Sequence, residues 1–369
     1  MGSWVYSKVF STAAIFITSA LVLSCGLSDL SDDCEIVGLP NSRPLCGAAA
    51  SVSMGATVYY AATSAGLSIS TDGGASWTTT TSGQNGFAAT NNVDSVFASG
   101  TNVYVATGAG ISISTDGGTS WTTTTSGQNG FVASSNLTGV AAVGSNAYAV
   151  TFGGAGGIAV SSNGGASWVA TTPGQNGFSG TSWIFDVAAS STAVAAATFS
   201  GFSVSTDGGA SWNTITSGQN GFSANDSCRS ASVYGSTVAA GTAAGISIST
   251  DSGANWVTTT SGQNGFGAGN NIYAVSVSAT LIAAGSNTAG VSVSANGGAT
   301  WTTTTSGQNG FANSNWIEGV YTTGTTIIAG TTAGVSISTD SGATWTTTTS
   351  GQNGFAASNS IRGVFVQRL

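Results

Sequence analysis

Five aspartates recur at one place in a repeated phrase. Asp72, Asp116, Asp207, Asp251 and Asp340 each stand two residues after a Ser and five before a Trp, as in "SISTDGGASW" from Ser68 to Trp77. A row of carboxylates suggests acid–base work. Two copies of the phrase, however, carry Asn163 and Asn296 in the acid's place. Asn keeps a carbonyl acceptor and suits a turn, but it cannot trade protons. The position therefore reads as architecture. Asp-Gly and Asn-Gly are strong two-residue hairpin signals, tolerant of positive φ. An Asp there can accept bonds from nearby backbone N–H groups and hydroxyls, and the Trp that follows covers the hairpin.

Two other sets of residues could do chemistry. One is a column two places before a recurring Val (Val96, Val140, Val187, Val233, Val275, Val320, Val364), which reads Asp94, Thr138, Phe185, Ala231, Tyr273, Glu318 and Arg362. Asp94, Tyr273, Glu318 and Arg362 are the candidates here for a polar pocket or an ionic latch. The other set is "GQNGF", unchanged in every copy of the repeat. Gln84, Asn85 and Phe87, with Gln128, Asn129 and Phe131 in the next copy, offer amides and an aromatic face that suit sugar hydroxyls and an apolar sugar face. Packing of the Phe between repeats is the competing reading. There is no His, no Cys/His metal set, no GxSxG and no phosphate loop, so neither a cofactor nor a metal is expected.

The elements that must position these residues follow from the spacing. The seven phrases end at Trp77, Trp121, Trp168, Trp212, Trp256, Trp301 and Trp345, with intervals of 44, 47, 44, 44, 45 and 44. Such a period indicates a propeller or a solenoid. Within one unit, "VDSVFA", "NVYVAT", "GISIST" and "WTTTT" read as four short strands parted by Gly-rich turns, and no helical periodicity is present. The expected fold is all-β, a seven-bladed propeller of four-stranded antiparallel blades, with a β-solenoid as the alternative. "SIRGVFVQRL" (Ser360–Leu369) repeats the first strand of a unit without the other three. It is expected to complete the first blade in preference to "ASVSMG" (Ala50–Gly55), which would place Arg362 between Glu318 and Asp94. The column should lie near the entrance of the central channel, and the GQNGF turns on the face opposite the aspartates.

The pattern Ser-x-Asp-x-Gly-x-[Ser/Thr/Asn]-Trp resembles the Asp-box, or bacterial neuraminidase repeat, of sialidases, sortilin-type receptors and photosystem-assembly-factor-like propellers. That resemblance implies structural boxes away from the active face. A sialidase would also need an arginine triad, a Tyr–Glu nucleophile pair and an acid. The repeat region holds only Arg229, Arg362 and Arg368, with Glu318 its single Glu. An enzyme is not expected, and a degenerate sialidase-like glycoside hydrolase is the distant alternative.

Charged residues are 5% of the chain and the net charge is −8, which argues against nucleic-acid binding. Residues 1–24 read as a secretory signal: Lys8, then an apolar run to Leu23. The run ends "LVLSC", similar to a relaxed bacterial lipobox with Cys25 as the lipidated residue; a strict lipobox differs at Val22 and Leu23. Residues 25–47 form a linker in which Cys34 and Cys46 are the natural disulfide pair, leaving Cys228 as a buried thiol. Residues 48–369 are the propeller. The function expected is that of an exported, non-enzymatic binding or scaffold propeller. It would sit at the bacterial cell envelope, touch the membrane through a lipid anchor only, and take a protein or glycan partner. A multivalent lectin or adhesin using the GQNGF loops is the alternative.

Overall fold

The computed structural model describes residues 57–368, apart from 132–135, 154–156, 182, 226, 268, 270 and 359. The signal, Cys25, the Cys34–Cys46 pair and the strand Ala50–Gly55 lie outside them.

The described chain forms seven four-stranded antiparallel sheets. In the second blade the strands are Val93–Ser99, Asn102–Thr107, Gly110–Ser114 and Thr122–Thr124, running from the inside outward. The other blades repeat this order. Their inner strands are Leu137–Val143, Ile184–Ala189, Cys228–Tyr234, Ile272–Val277 and Ile317–Thr323 in blades three to seven. The first blade is completed by the chain's end. Ile361–Arg368 pairs with Thr57–Thr63, setting Tyr60 opposite Phe365 and Ala62 opposite Gly363. Each inner strand packs on the inner strands of both neighbours, and the last closes on the first. The expected closed seven-bladed ring, sealed by the C-terminal strand, is the fold observed.

Blades stack face to face, so strands in the middle of a blade are covered on both sides. Their sequences are accordingly continuous runs of small and β-branched residues, such as "NVYVAT" and "VAAAT", rather than alternating ones. With few charges to use, the chain satisfies buried polar groups with hydroxyls. Ser112 Oγ on the third strand lies 2.8 Å from Thr123 Oγ1 on the fourth and accepts the N–H of Ala88 from the preceding linker at 3.2 Å. The outer strands are three residues of mostly Thr, a short edge that discourages pairing with other chains.

Candidate functional site

The aspartates of the repeated phrase are held as hairpin pins. Ser70 Oγ donates to Asp72 Oδ1 (2.8 Å) and accepts from the Gly74 N–H (2.9 Å). The Ser76 N–H and Oγ donate to the two carboxylate oxygens at 2.9 and 2.5 Å, and Trp77 Nε1 donates to the Gly74 carbonyl at 3.1 Å. Bonds from the residue four places on hold the carboxyls of Asp72, Asp116, Asp207, Asp251 and Asp340 down at about 2. The side chain leads in four boxes and the Asn255 backbone N–H in the fifth. Asn163 reproduces the arrangement: its Oδ1 accepts from Ser161 Oγ and the Ser167 N–H, and its Nδ2 donates to Ser167 Oγ at 2.8 Å. Asn296 does the same with Ser294 and Thr300. One detail departs from the sequence reading. The positive φ angles fall on Gly73 and Gly74 (77° and 89°), after the acid rather than on it. Ser252 and Ser341 fill the first of these slots in two boxes, at φ 58° and 62°.

The GQNGF turns are joints between blades. Asn85 takes φ 50°, and Gln84 Oε1 accepts the Thr81 N–H at 2.8 Å. The Asn85 carbonyl accepts the N–H of Trp121, just before the next blade's outer strand, and the Gly86 carbonyl accepts Thr123 Oγ1 on that strand. A Cβ on Gly86 would stand 2.2 Å from the Trp121 carbonyl oxygen, which explains the glycine. Phe87 is 3% exposed and meets the Trp121 ring edge-on, with centroids 5.1 Å apart. The same pair recurs at every joint: Phe131–Trp168, Phe178–Trp212, Phe222–Trp256, Phe266–Trp301, Phe311–Trp345 and, across the closure, Phe355–Trp77. One expectation is corrected. Phe87 and Phe131 are packed inside, so Gln84, Asn85, Gln128 and Asn129 remain at the surface without an aromatic platform. The Phe must cover the Trp that the hairpin exposes to the neighbouring blade.

The column at the channel is where the structure gathers diverse side chains. In each inner strand the pairing to the second strand skips one residue, a bulge that turns that side chain out of the ladder. The skipped residues are Asp94, Thr138, Phe185, Arg229, Tyr273, Glu318 and Arg362. All of them line one cavity of about 280 Å³ in the central channel. The sequence alignment is corrected in the fifth blade. Ala231, not Val233, occupies the place of Val96, so Arg229 joins the column and Ala231 lies deeper, where its N–H donates to Asp186 Oδ2 at 3.0 Å.

Charge is shared unevenly around this mouth. Arg362 Nη1 pairs with Asp94 Oδ1 at 2.5 Å, and Glu318 makes no ion pair with it. Burial raises the carboxyls of Asp94 and Glu318, opposed by Arg362. Asp186 is pushed up to about 6 by burial, against bonds from the N–H groups of Ala231 and Val187 and from Ser230 Oγ. The Arg229 guanidinium lies 4.6 Å over the Phe185 ring and 5.5 Å from Tyr273. Among the described residues, three buried side-chain polar atoms lack a hydrogen-bond partner: Arg229 Nε, Asn271 Oδ1 and Glu318 Oε2. Arg229 and Glu318 belong to the column, and Asn271 sits beside it, with Nδ2 3.5 Å from the Tyr273 hydroxyl.

Aromatic rings flank the opening. Phe152 and Trp183 are stacked at 5.5 Å and 26°, Phe199 meets Trp183 edge-on at 5.1 Å, and Phe152 lies 5.6 Å from Phe185. Trp316 stands 6.2 Å from Tyr273 on the other side. Phe152, Trp183, Phe199 and Trp316 are 38 to 45% exposed. The backbone fixes the first three: Trp183 bridges Phe152, and its carbonyl accepts the Phe199 N–H at 3.0 Å. Three residues deeper, Phe97, Phe365 and Tyr321 pack together at 4.8 and 4.3 Å and fill one side of the channel. The other side has Ala141, Ala188, Ser232 and Ser276. The space therefore lies below Phe185, Arg229 and Tyr273. Sequence reasoning missed Arg229, Phe152, Trp183, Phe199 and Trp316. A signal existed: the residue before the inner strand is Asn92, Asn136, Ser227, Asn271 or Ser360 in five repeats, and Trp only at 183 and 316.

No family model and no curated protein matches the chain. Solved structures do. YCF48 from Cyanidioschyzon merolae is 17% identical, with 69% of this chain and 84% of that one covered and a TM-score of 0.50. The extracellular domain of BT4673 from B. thetaiotaomicron is 14% identical over 77% of this chain and 38% of that one, at 0.55. The WD40 β-propeller domain of Doa1 is 14% identical over 69% and 80%, at 0.50. At these identities the likeness shows the fold alone. Among the described residues, no three His, Cys, Asp or Glu side chains are grouped so as to hold a metal ion.

Proposed function

We propose that this chain is a non-catalytic Asp-box propeller whose ligand binds at the mouth of the central channel, between the Trp183 and Trp316 edges. We further propose that it is exported and held at the bacterial envelope by lipid on Cys25. The observation that carries the reading is internal to the repeat. Seven copies of one unit keep every hairpin pin and joint, and they diverge where the inner strands begin. That divergence leaves exposed aromatics, an arginine and partnerless polar atoms around one opening. Rigid scaffolds carry binding residues in this manner, at the ends of elements rather than in the packed core.

The test immobilises the full-length protein and offers it an envelope extract. The proposal expects a ligand retained by the wild type and by Val257→Ala, on the exposed outer strand of the Arg229 blade, but lost in Trp183→Asn/Trp316→Asn. Retention that survives the double variant overturns the site. For the anchor, labelled palmitate should enter the wild type and not Cys25→Ser; equal labelling overturns it.

A further inference from the structure

We infer that the mouth takes a neutral oligosaccharide, seated on the Trp183–Phe152 and Trp316 rings and hydrogen-bonded by Arg229, Asn271 and Glu318. This rests on the channel mouth being the binding surface.

Three observations point to that chemistry. The first is the kind of hydrogen bonding the protein leaves unused. Arg229 Nε is a donor without an acceptor, and Asn271 Oδ1 and Glu318 Oε2 are acceptors without a donor. Buried polar groups in folded proteins are almost always matched, so three mismatches at one opening mark capacity held for something else. A sugar hydroxyl both donates and accepts, and several on one ring serve a mixed set. The second observation is the form of the apolar surface. The exposed rings are flat shelves standing at the rim, and Phe152 and Trp183 lie nearly parallel. A pyranose presents a flat face of C–H groups that stacks on such a shelf. A peptide instead anchors large side chains in desolvated apolar pockets, and the column around this cavity carries Asp94, Glu318, Arg229 and Arg362. The third is charge. Two arginines, Arg229 and Arg362, stand against Asp94, Asp186 and Glu318 around the same cavity, so the mouth offers no net positive field for an acidic sugar. The Trp183 backbone is also held before binding, by its pairing with Phe152 and the Phe199 N–H just past the second strands of two blades, which limits the ordering that binding would otherwise demand.

The experiment uses the full-length protein against an array of neutral and acidic oligosaccharides and, in parallel, a random peptide array, with titration calorimetry of whatever binds. The inference expects a neutral oligosaccharide among the binders. Trp183→Ala and Trp316→Ala each weaken it by about tenfold, the loss of one aromatic stacking contact. Arg229→Leu weakens it too, and Val257→Ala, on the exposed outer strand of the same blade, leaves it unchanged. Peptides or acidic sugars that bind in place of neutral ones, with loss in Trp183→Ala, overturn the ligand class while sustaining the mouth as the site. Binding of any class that is indifferent to Trp183 and Trp316 overturns both, and so does a protein that retains nothing from either array.

Discussion

Replacing Phe131 by Ala should cost the fold about 4 kcal/mol. Phe131 is 3% exposed and sits edge-on to Trp168, with ring centroids 5.1 Å apart. Burying a Phe side chain stabilises by about 3 kcal/mol, and an edge-on aromatic pair adds roughly 1 kcal/mol. A cavity left between two blades brings the total into the range of about 3–5 kcal/mol usual for Phe→Ala. The turn itself should persist, because Gln128 Oε1 still accepts the Thr125 N–H and the Asn129 carbonyl the Trp168 N–H. Urea unfolding followed by near-ultraviolet circular dichroism of the tryptophans reads the change. A loss under about 1 kcal/mol would mean that the ring is not a joint, contradicting the burial on which the architectural reading of GQNGF depends.

The remaining predictions concern pH, backbone strain and closure. The box carboxyls lie near 2 when folded against 3.8 when free, so their stabilisation is present above about pH 4 and lost as pH falls toward 2. Asp186 has the opposite sign: its folded value of about 6 makes its contribution full below 3.8 and lost as pH rises through 6, and Asp94 and Glu318 are shifted in the same direction. Melting temperature measured from pH 2 to 7 should pass through a maximum near pH 4, and Asp186→Asn should flatten the upper limb; a steady rise to pH 7 would contradict the assignment. Ser252→Gly and Ser341→Gly should each stabilise by about 0.5 kcal/mol in denaturant titrations, since relief of a left-handed residue (about 1–2 kcal/mol) outweighs the extra freedom of Gly (about 0.5–1 kcal/mol). Arg362→Ala should cost under about 1 kcal/mol, because its side chain is 39% exposed. Deleting residues 361–369 should abolish cooperative unfolding, because Ile361, Val364, Phe365 and Val366 are buried in that strand. Equal effects in a melting experiment would restore the latch as the main seal.

The fold was legible because the chain states it seven times. The hairpin phrase with its Trp, the four strand signals per unit and the surplus first strand at the C-terminus fix blade number, strand order and closure together. What stayed hidden depended on burial and register. The letters of GQNGF are the same whether Phe87 faces solvent or a neighbouring Trp, and only packing distinguishes the two. In the fifth blade, "RSASVYG" offers a Val two places late, and aligning on Val233 moved Arg229 out of the column it occupies. Phe152, Trp183, Phe199 and Trp316 sit in connections and second-strand ends with no periodicity of their own. Nothing in the letters says that these connections converge on one opening, although the two Trp residues in a slot otherwise held by Asn or Ser were visible as exceptions.

The division between joints that build and a mouth that binds is tested most directly by giving the mouth the residues that other blades use. The variant Phe152→Ser/Trp183→Asn/Phe199→Ser/Trp316→Asn removes the exposed rings and leaves every hairpin and joint in place. Its unfolding midpoint is the measurement. The account predicts a midpoint within a few degrees of the wild type, because residues that serve a ligand contribute little to the fold. A fall as large as that of Phe131→Ala would show that these rings are architecture too.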